Sequence, residues 1–150
     1  MSTRTIVIAA GGTGGHFFPA QALAEALAAR GHKLVLMTDE RAGTRKDGIF
    51  ANGPQYVLRG AGVAGRGPIR AIKAGLLLLA SALKARSILK DIKPDAVIGF
   101  GGYPSVPPLL GARLLGSKRP VLIIHEGNAV LGKANALLSR FANVIATSYP

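Results

Sequence analysis

Cysteine is absent from the 150-residue sequence. Its absence excludes a disulfide scaffold and any Cys-ligated zinc or iron–sulfur site, and makes a cytoplasmic location the default expectation. Acidic residues are scarce: seven Asp and Glu stand against nineteen Lys and Arg, a net charge of +12. Such an excess calls for an anionic partner, whether nucleic acid, a phosphorylated small molecule or an acidic membrane. Aromatic residues are only 5% of the chain, and no nucleic-acid module is recognisable, which disfavours the first of these. Long apolar runs are lacking too. Ala74 to Leu83 is about half of the ~20 apolar residues a spanning helix needs. Ala96 to Ala112 is broken by Gly99, Gly101, Gly102, Pro104, Pro107 and Pro108. The apolar stretch Ile6 to Ala10 is too brief for a signal-peptide core, so no secretion signal is expected. What remains, 49% hydrophobic and 17% charged, suits one well-buried domain and is too apolar for a disordered chain.

Continuous apolar segments alternate with helix-forming ones, the pattern of a parallel sheet covered on both faces. Strands are predicted at Thr5–Ala9, Lys33–Thr38, Gln55–Leu58, Ala96–Ile98, Val121–Ile124 and Asn143–Ala146. Helices are predicted from Pro19 to Arg30, with Gly31 as the stop, from Pro68 to about Ile92, from about Ser105 to Leu115 and from about Leu131 to Phe141. A loop or short helix fills Arg41 to Asn52, and the glycine-rich residues 60–67 read as a loop. The expected fold is α/β, a Rossmann-like parallel sheet with helices on both faces. Tyr149-Pro150 follows directly on a strand, where a polypeptide of this architecture is expected to continue.

Ligands of such sheets bind beyond the carboxyl ends of the strands, and three of those positions are unusual. After the first strand come Gly11, Gly12, Thr13, Gly14, Gly15 and His16. Glycines let backbone N–H groups approach an anion, and the following helix points its positive end there, which suits a phosphate or diphosphate. A helix N-terminus also disfavours an imidazolium, so His16 is a candidate proton acceptor. After the fourth strand, Gly99-Phe100-Gly101-Gly102-Tyr103-Pro104-Ser105 repeats the device, with Ser105 as a possible helix cap and Tyr103 as a possible sugar contact. After the fifth, His125, Glu126 and Asn128 crowd three functional side chains into four residues, with Asn135 following. His125 either holds the loop or takes part in chemistry; Glu126 and Asn128 suit hydrogen bonds to sugar hydroxyls or an amide.

Two nucleotide motifs are incomplete. Gly12-Thr13-Gly14 begins a dinucleotide fingerprint, and Asp39 stands where a ribose-binding acid belongs, but Phe17 replaces the third glycine. Gly127 to Lys133 has phosphate-loop spacing, yet Ala134 replaces the hydroxyl residue that would hold magnesium.

Eight basic residues and one acid, Asp91, lie between Arg59 and Lys93. Within the helix there, Ile72, Leu76, Leu79 and Leu83 form one stripe beside Arg70 and Lys73. That stripe is either the helix's core face or, because Leu77 and Leu78 widen the apolar surface, an interfacial patch for an anionic membrane.

Taken in order, the motifs Gly11–Ala20, Gly99–Ser105 and His125–Asn135 resemble the MurG family of peptidoglycan N-acetylglucosaminyltransferases, over Ile6 to about Ser148. The resemblance implies a GT-B fold of two Rossmann-like domains. Residues 1–150 would be the amino-terminal, acceptor-binding and membrane-associating domain; the carboxy-terminal domain, which makes most contacts to UDP-GlcNAc, lies outside this chain. It further implies an inverting transfer of GlcNAc from UDP-GlcNAc to the MurNAc 4-hydroxyl of undecaprenyl-pyrophosphoryl-MurNAc-pentapeptide, at the cytoplasmic face of the bacterial inner membrane. The glycine loops at 11–15 and 99–102 would cradle the acceptor diphosphate, and Thr13, Gly14, Gly15 and Asn128 would also approach the donor. His16, Tyr103, His125, Glu126, Asn128 and Asn135 would line the reaction centre, with His16 the first choice of base and Glu126 the second. No metal or other cofactor is implied, and no Asp-x-Asp pair occurs. Gly127 departs from the family, which usually has Gln there. A reading of a different class is a noncatalytic membrane-docking module that recruits a separate catalytic chain; turnover with a supplied second domain separates the two.

Overall fold

Alternate residues of the first strand diverge into two separate cores, which is why its sequence is apolar throughout. The computed structural model describes residues 2–11, 14–59 and 66–150. Strand β1 (Thr5–Ala9) lies inside a six-stranded sheet with β2 (Lys33–Asp39), β3 (Gln55–Leu58), β4 (Ala96–Gly99), β5 (Val121–Glu126) and β6 (Val144–Thr147). Every pairing is parallel and the order is β3-β2-β1-β4-β5-β6. Ile6, Ile8 and Ala10 join Leu36, Phe50 and the helix α1 (Gly14–Ala29) residues Phe17, Ala20 and Ala24 on one face. Val7 and Ala9 join Val97 and Leu122 on the other, with residues of α2 (Pro68–Ile92), α3 (Val106–Arg113) and α4 (Lys133–Leu138). This is the Rossmann-like arrangement expected from the sequence. Its order reverses between β1 and β4, and the crevice outside their carboxyl ends is where such sheets bind ligands.

Several boundaries differ from expectation. Helix α1 begins at Gly14, so Pro19 lies inside it rather than opening it. Glycines 14 and 15 are thus the first helical residues, and Pro19, lacking an N–H, cannot bond back to the Gly15 carbonyl. Residues 41–52 form turns, the loop of the two alternatives expected there. Strand β5 runs on through Glu126, because β6 pairs with it as far as Thr147 opposite Glu126. Helix α4 is shorter than predicted, six residues in all. Ser105 does not cap α3 with its side chain; a 3-10 turn over Tyr103–Ser105 precedes that helix, and the buried Ser105 hydroxyl donates instead to the Gly102 carbonyl at 2.8 Å. Residues 60–65 of the predicted 60–67 loop lie outside the described residues, as do Gly12 and Thr13.

Helix α2 packs by three small residues and one leucine. Ser81, Ala82, Ala85 and Leu89 are its buried side chains, and Ser81 donates to the Arg59 carbonyl at 2.8 Å. Where α2 crosses α3, a Cβ on Gly111 would stand 2.6 Å from the Ala82 carbonyl oxygen and 2.8 Å from the Arg86 nitrogen. So close an approach admits only small side chains at the crossing itself. Ile72, Leu76, Leu79 and Leu83 are 63%, 62%, 48% and 51% exposed; they are not the core face of the helix. Leu77 and Leu78 are only half-buried. No helix among the described residues is long and apolar enough to cross a membrane.

Candidate active site

Three chain segments meet above β1, β4 and β5. The first turn of α1 brings His16, the loop after β4 brings Gly101, Gly102 and Tyr103, and the segment from Glu126 to Asn135 brings the rest. Together they line a cleft of about 180 Å³. The central contact is at Gly101. Its φ of +88° and that of Gly102, +70°, belong to glycine, and a Cβ on Gly101 would lie 3.1 Å from His16 Nδ1 and 3.5 Å from Asn135 Nδ2. A side chain at Gly101 would therefore press on the imidazole and touch the amide, besides being strained by the positive φ.

Glu126 is held on all sides. Its Oε1 accepts the backbone N–H of Asn128 at 3.0 Å and the Asn128 side-chain amide at 2.9 Å. Its Oε2 accepts the Gly132 N–H and the Asn135 amide, both at 2.9 Å. Burial on its own pushes the carboxyl up; the hydrogen bonds from Gly132, Asn135 and both Asn128 donors outweigh it and lower it to about 2. Glu126 is consequently an anion with its lone pairs engaged, a poor proton acceptor and a firm anchor for the loop after β5. Asn135 also donates to the His125 carbonyl at 3.0 Å, while its own buried Oδ1 accepts no hydrogen bond. An orphaned buried acceptor is costly, and a hydroxyl entering the cleft would satisfy it.

The structure gathers most of the residues singled out in the sequence, but not all. His16, Gly101, Gly102, Tyr103, Glu126, Asn128 and Asn135 line the cleft. His125 does not: its ring lies beside Phe100, centroids 5.3 Å apart, and its Nε2 is 3.2 Å from the Ser148 hydroxyl. Ser105 is buried beneath the loop. Gly11 is a glycine for packing, since a Cβ there would meet Thr38 Oγ1 at 2.8 Å and Asp39 Oδ1 at 2.9 Å. Asp39, read as a possible ribose acid, is buried and accepts the Ala42 N–H at 3.2 Å. Lys133 was not anticipated. As the first residue of α4 it lines the cleft and brings a cation, and its only signal was the incomplete phosphate-loop spacing around it.

The fold recurs among known proteins. The chain is 63% identical over 147 residues to a UDP-N-acetylglucosamine–N-acetylmuramyl-(pentapeptide) pyrophosphoryl-undecaprenol N-acetylglucosamine transferase of Gluconobacter oxydans, covering 97% of this chain and 40% of that protein. It is 52% identical over 146 residues to the protein of the same name in Granulibacter bethesdensis, covering 97% and 38%. The chain thus spans about two fifths of the length of these relatives. Among solved structures, MurG of Acinetobacter baumannii superposes with a TM-score of 0.77 at 36% identity, over 99% of this chain and 42% of that one. A UDP-N-acetylglucosamine 2-epimerase of Listeria monocytogenes, with a TM-score of 0.67 at 14% identity over 97% and 39% of the two chains, shares the fold alone. Residues 6–147 match the glycosyltransferase family 28 N-terminal domain, and the chain belongs to that family.

Proposed function

We propose that this domain is the acceptor half of an inverting glycosyltransferase that moves GlcNAc from UDP-GlcNAc to the MurNAc 4-hydroxyl of undecaprenyl-pyrophosphoryl-MurNAc-pentapeptide, in peptidoglycan synthesis. The observation that carries the reading is the convergence of the His16 imidazole and the Asn135 amide on Gly101. His16 is the base: it takes the proton of the 4-hydroxyl as that oxygen attacks the anomeric carbon of GlcNAc and UDP leaves with the bonding electrons. Asn135 Oδ1 receives a sugar hydroxyl, and Tyr103 and Asn128 border the same space. The N–H groups opening α1, those of the Gly101–Gly102 loop and Lys133 receive the acceptor diphosphate. Glu126 acts through Asn128, Gly132 and Asn135, whose positions it fixes, and not as the base.

The outward stripe on α2 supplies the second part of the reading. Ile72, Leu76, Leu79 and Leu83, with exposed Arg70 and Lys73 beside them, form an apolar patch edged by cations, suited to the anionic cytoplasmic face of the bacterial inner membrane. A lipid-linked acceptor requires the domain to be held at that surface. The patch would equally serve a noncatalytic docking module, so turnover separates the two. Full-length protein should transfer labelled GlcNAc from UDP-GlcNAc to a soluble analogue of the lipid-linked acceptor. The 150-residue chain alone should not, because an inverting transfer needs donor and acceptor held in line. Transfer by the isolated chain, or none by the full-length protein, would overturn this proposal.

A further inference from the structure

A second cavity begins one residue beyond His16. Phe17, Phe18, Gln21, Arg45, Asp47 and Phe50 border a space of about 280 Å³ between α1 and the loop joining β2 to β3. Phe17 is buried edge-on against Phe50, their ring centroids 5.9 Å apart, whereas Phe18 is 70% exposed. The Arg45 guanidinium carbon lies 3.4 Å over the Phe17 ring. Its Nε is buried without a hydrogen-bond partner. No carboxylate pairs with it among the described residues, and Asp47 on the same rim stands beyond ion-pair distance. The loop that presents it is pinned by one side chain of β3. Gln55 Oε1 accepts the Arg45 N–H at 2.6 Å, and Gln55 Nε2 donates to the carbonyls of Arg45 and Phe50, both at 2.9 Å. An arginine stacked on a ring, clamped at its backbone and left without an acceptor is preorganised for a planar oxyanion.

We propose that this cavity receives a carboxylate of the acceptor's peptide on Arg45, an inference that rests on the transferase reading above. Sugar chemistry sets the location. In an N-acetylmuramyl acceptor the peptide hangs from the lactyl ether on the ring carbon adjacent to the one bearing the reacting hydroxyl, while the diphosphate is attached across the ring at the anomeric carbon. With the reacting hydroxyl at His16, the peptide leaves the sugar beside the next residues of α1. Those residues, Phe17 and Phe18, line the Arg45 cavity and not the cleft of His16, Gly101 and Gly102.

The test uses the full-length enzyme and two acceptors, one bearing the pentapeptide and one with the same lipid-linked diphosphate sugar but no peptide. Arg45→Gln should raise the KM for the pentapeptide acceptor about ten- to a hundredfold, with kcat and the donor KM near wild type. Arg45→Lys, which keeps the charge and loses the planar fork, should fall between. Neither substitution should alter the KM for the peptide-free acceptor. Each variant is compared with itself on two substrates, so any loss of folded protein cancels. An equal rise on both acceptors would assign Arg45 to the diphosphate or to the fold, and an unchanged KM would leave the cavity without this role; either overturns the proposal. A wild-type enzyme inactive on the pentapeptide acceptor would bring down the transferase reading and this inference with it, whereas an active wild type with indifferent variants brings down this inference alone.

Discussion

Asn135 reaches from α4 to Glu126 at the end of β5, its Nδ2 2.9 Å from Oε2, and in doing so leaves its own buried Oδ1 without a donor. One bond secures the loop, and the Asn135 side chain that makes it also lines the cleft. The pair therefore combines anchoring with readiness for a hydroxyl, and the two roles can be separated by experiment.

The first prediction concerns pH. The Glu126 carboxyl is lowered from 4.5 to about 2, so its ionised form contributes stability that is fully present above about pH 4.5 and is lost as the pH falls toward 2. A shift of that size corresponds to about 3 kcal/mol. Urea melts of wild type and Glu126→Gln between pH 7 and 2.5 check this. The variant should be less stable at neutral pH, with the gap closing in acid; a constant gap would contradict it.

His16 should behave as a base. In the full-length enzyme His16→Ala should lower kcat by about 10²- to 10⁴-fold while the thermal melt stays near wild type. Near-native turnover would move proton removal to solvent.

Gly111 should tolerate nothing larger. A methyl group there collides with the backbone of α2, 2.6 Å from the Ala82 carbonyl oxygen, and neither helix can shift without opening the core around Leu89 and Leu109. Gly111→Ala should cost about 1–3 kcal/mol or more, read as a lowered denaturation midpoint with an unchanged slope. Wild-type stability would mean that the two helices are less tightly apposed.

The stripe on α2 should bind anionic lipid. Co-sedimentation with vesicles containing acidic phospholipid should exceed that with neutral vesicles and weaken with salt, each nearby cation contributing about 1 kcal/mol. Leu76→Ser with Leu79→Ser should reduce it without affecting the melt, since both side chains face outward. Binding indifferent to lipid charge, or to the two serines, would refute membrane docking.

The fold was readable in the sequence because parallel strands buried on both faces are apolar at every position, as Ile6 to Ala9 are, and because Gly31 and Pro68 punctuate the helices. Boundaries were missed where a tertiary partner outranks a local signal. Pro19 looked like a helix start, but the helix begins five residues earlier at Gly14, whose lack of a Cβ leaves room for the Phe18 ring. The cleft was largely legible, since functional side chains at strand ends have little structural reason to cluster. The environment of each was not. Nothing in the spacing of Glu126 shows that four donors converge on it, and nothing in that of His125 shows that its ring turns toward Ser148. Arg45 was invisible for the same reason: its significance lies in the partner it lacks, and a missing partner leaves no mark in one dimension.

Helix α2 runs back from the carboxyl edge of β3 to the amino edge of β4, so its axis lies alongside the strands. The leucine stripe follows that axis from Ile72 to Leu83, about 16 Å at 1.5 Å per residue. A helix resting on a bilayer along such a length would lay the strands parallel to the lipid surface. The crevice at the strand ends would then open sideways, along the plane of the membrane. A substrate tethered by its lipid tail would reach such an opening by drifting in the plane of the membrane, a two-dimensional search that never requires its tail to leave the bilayer.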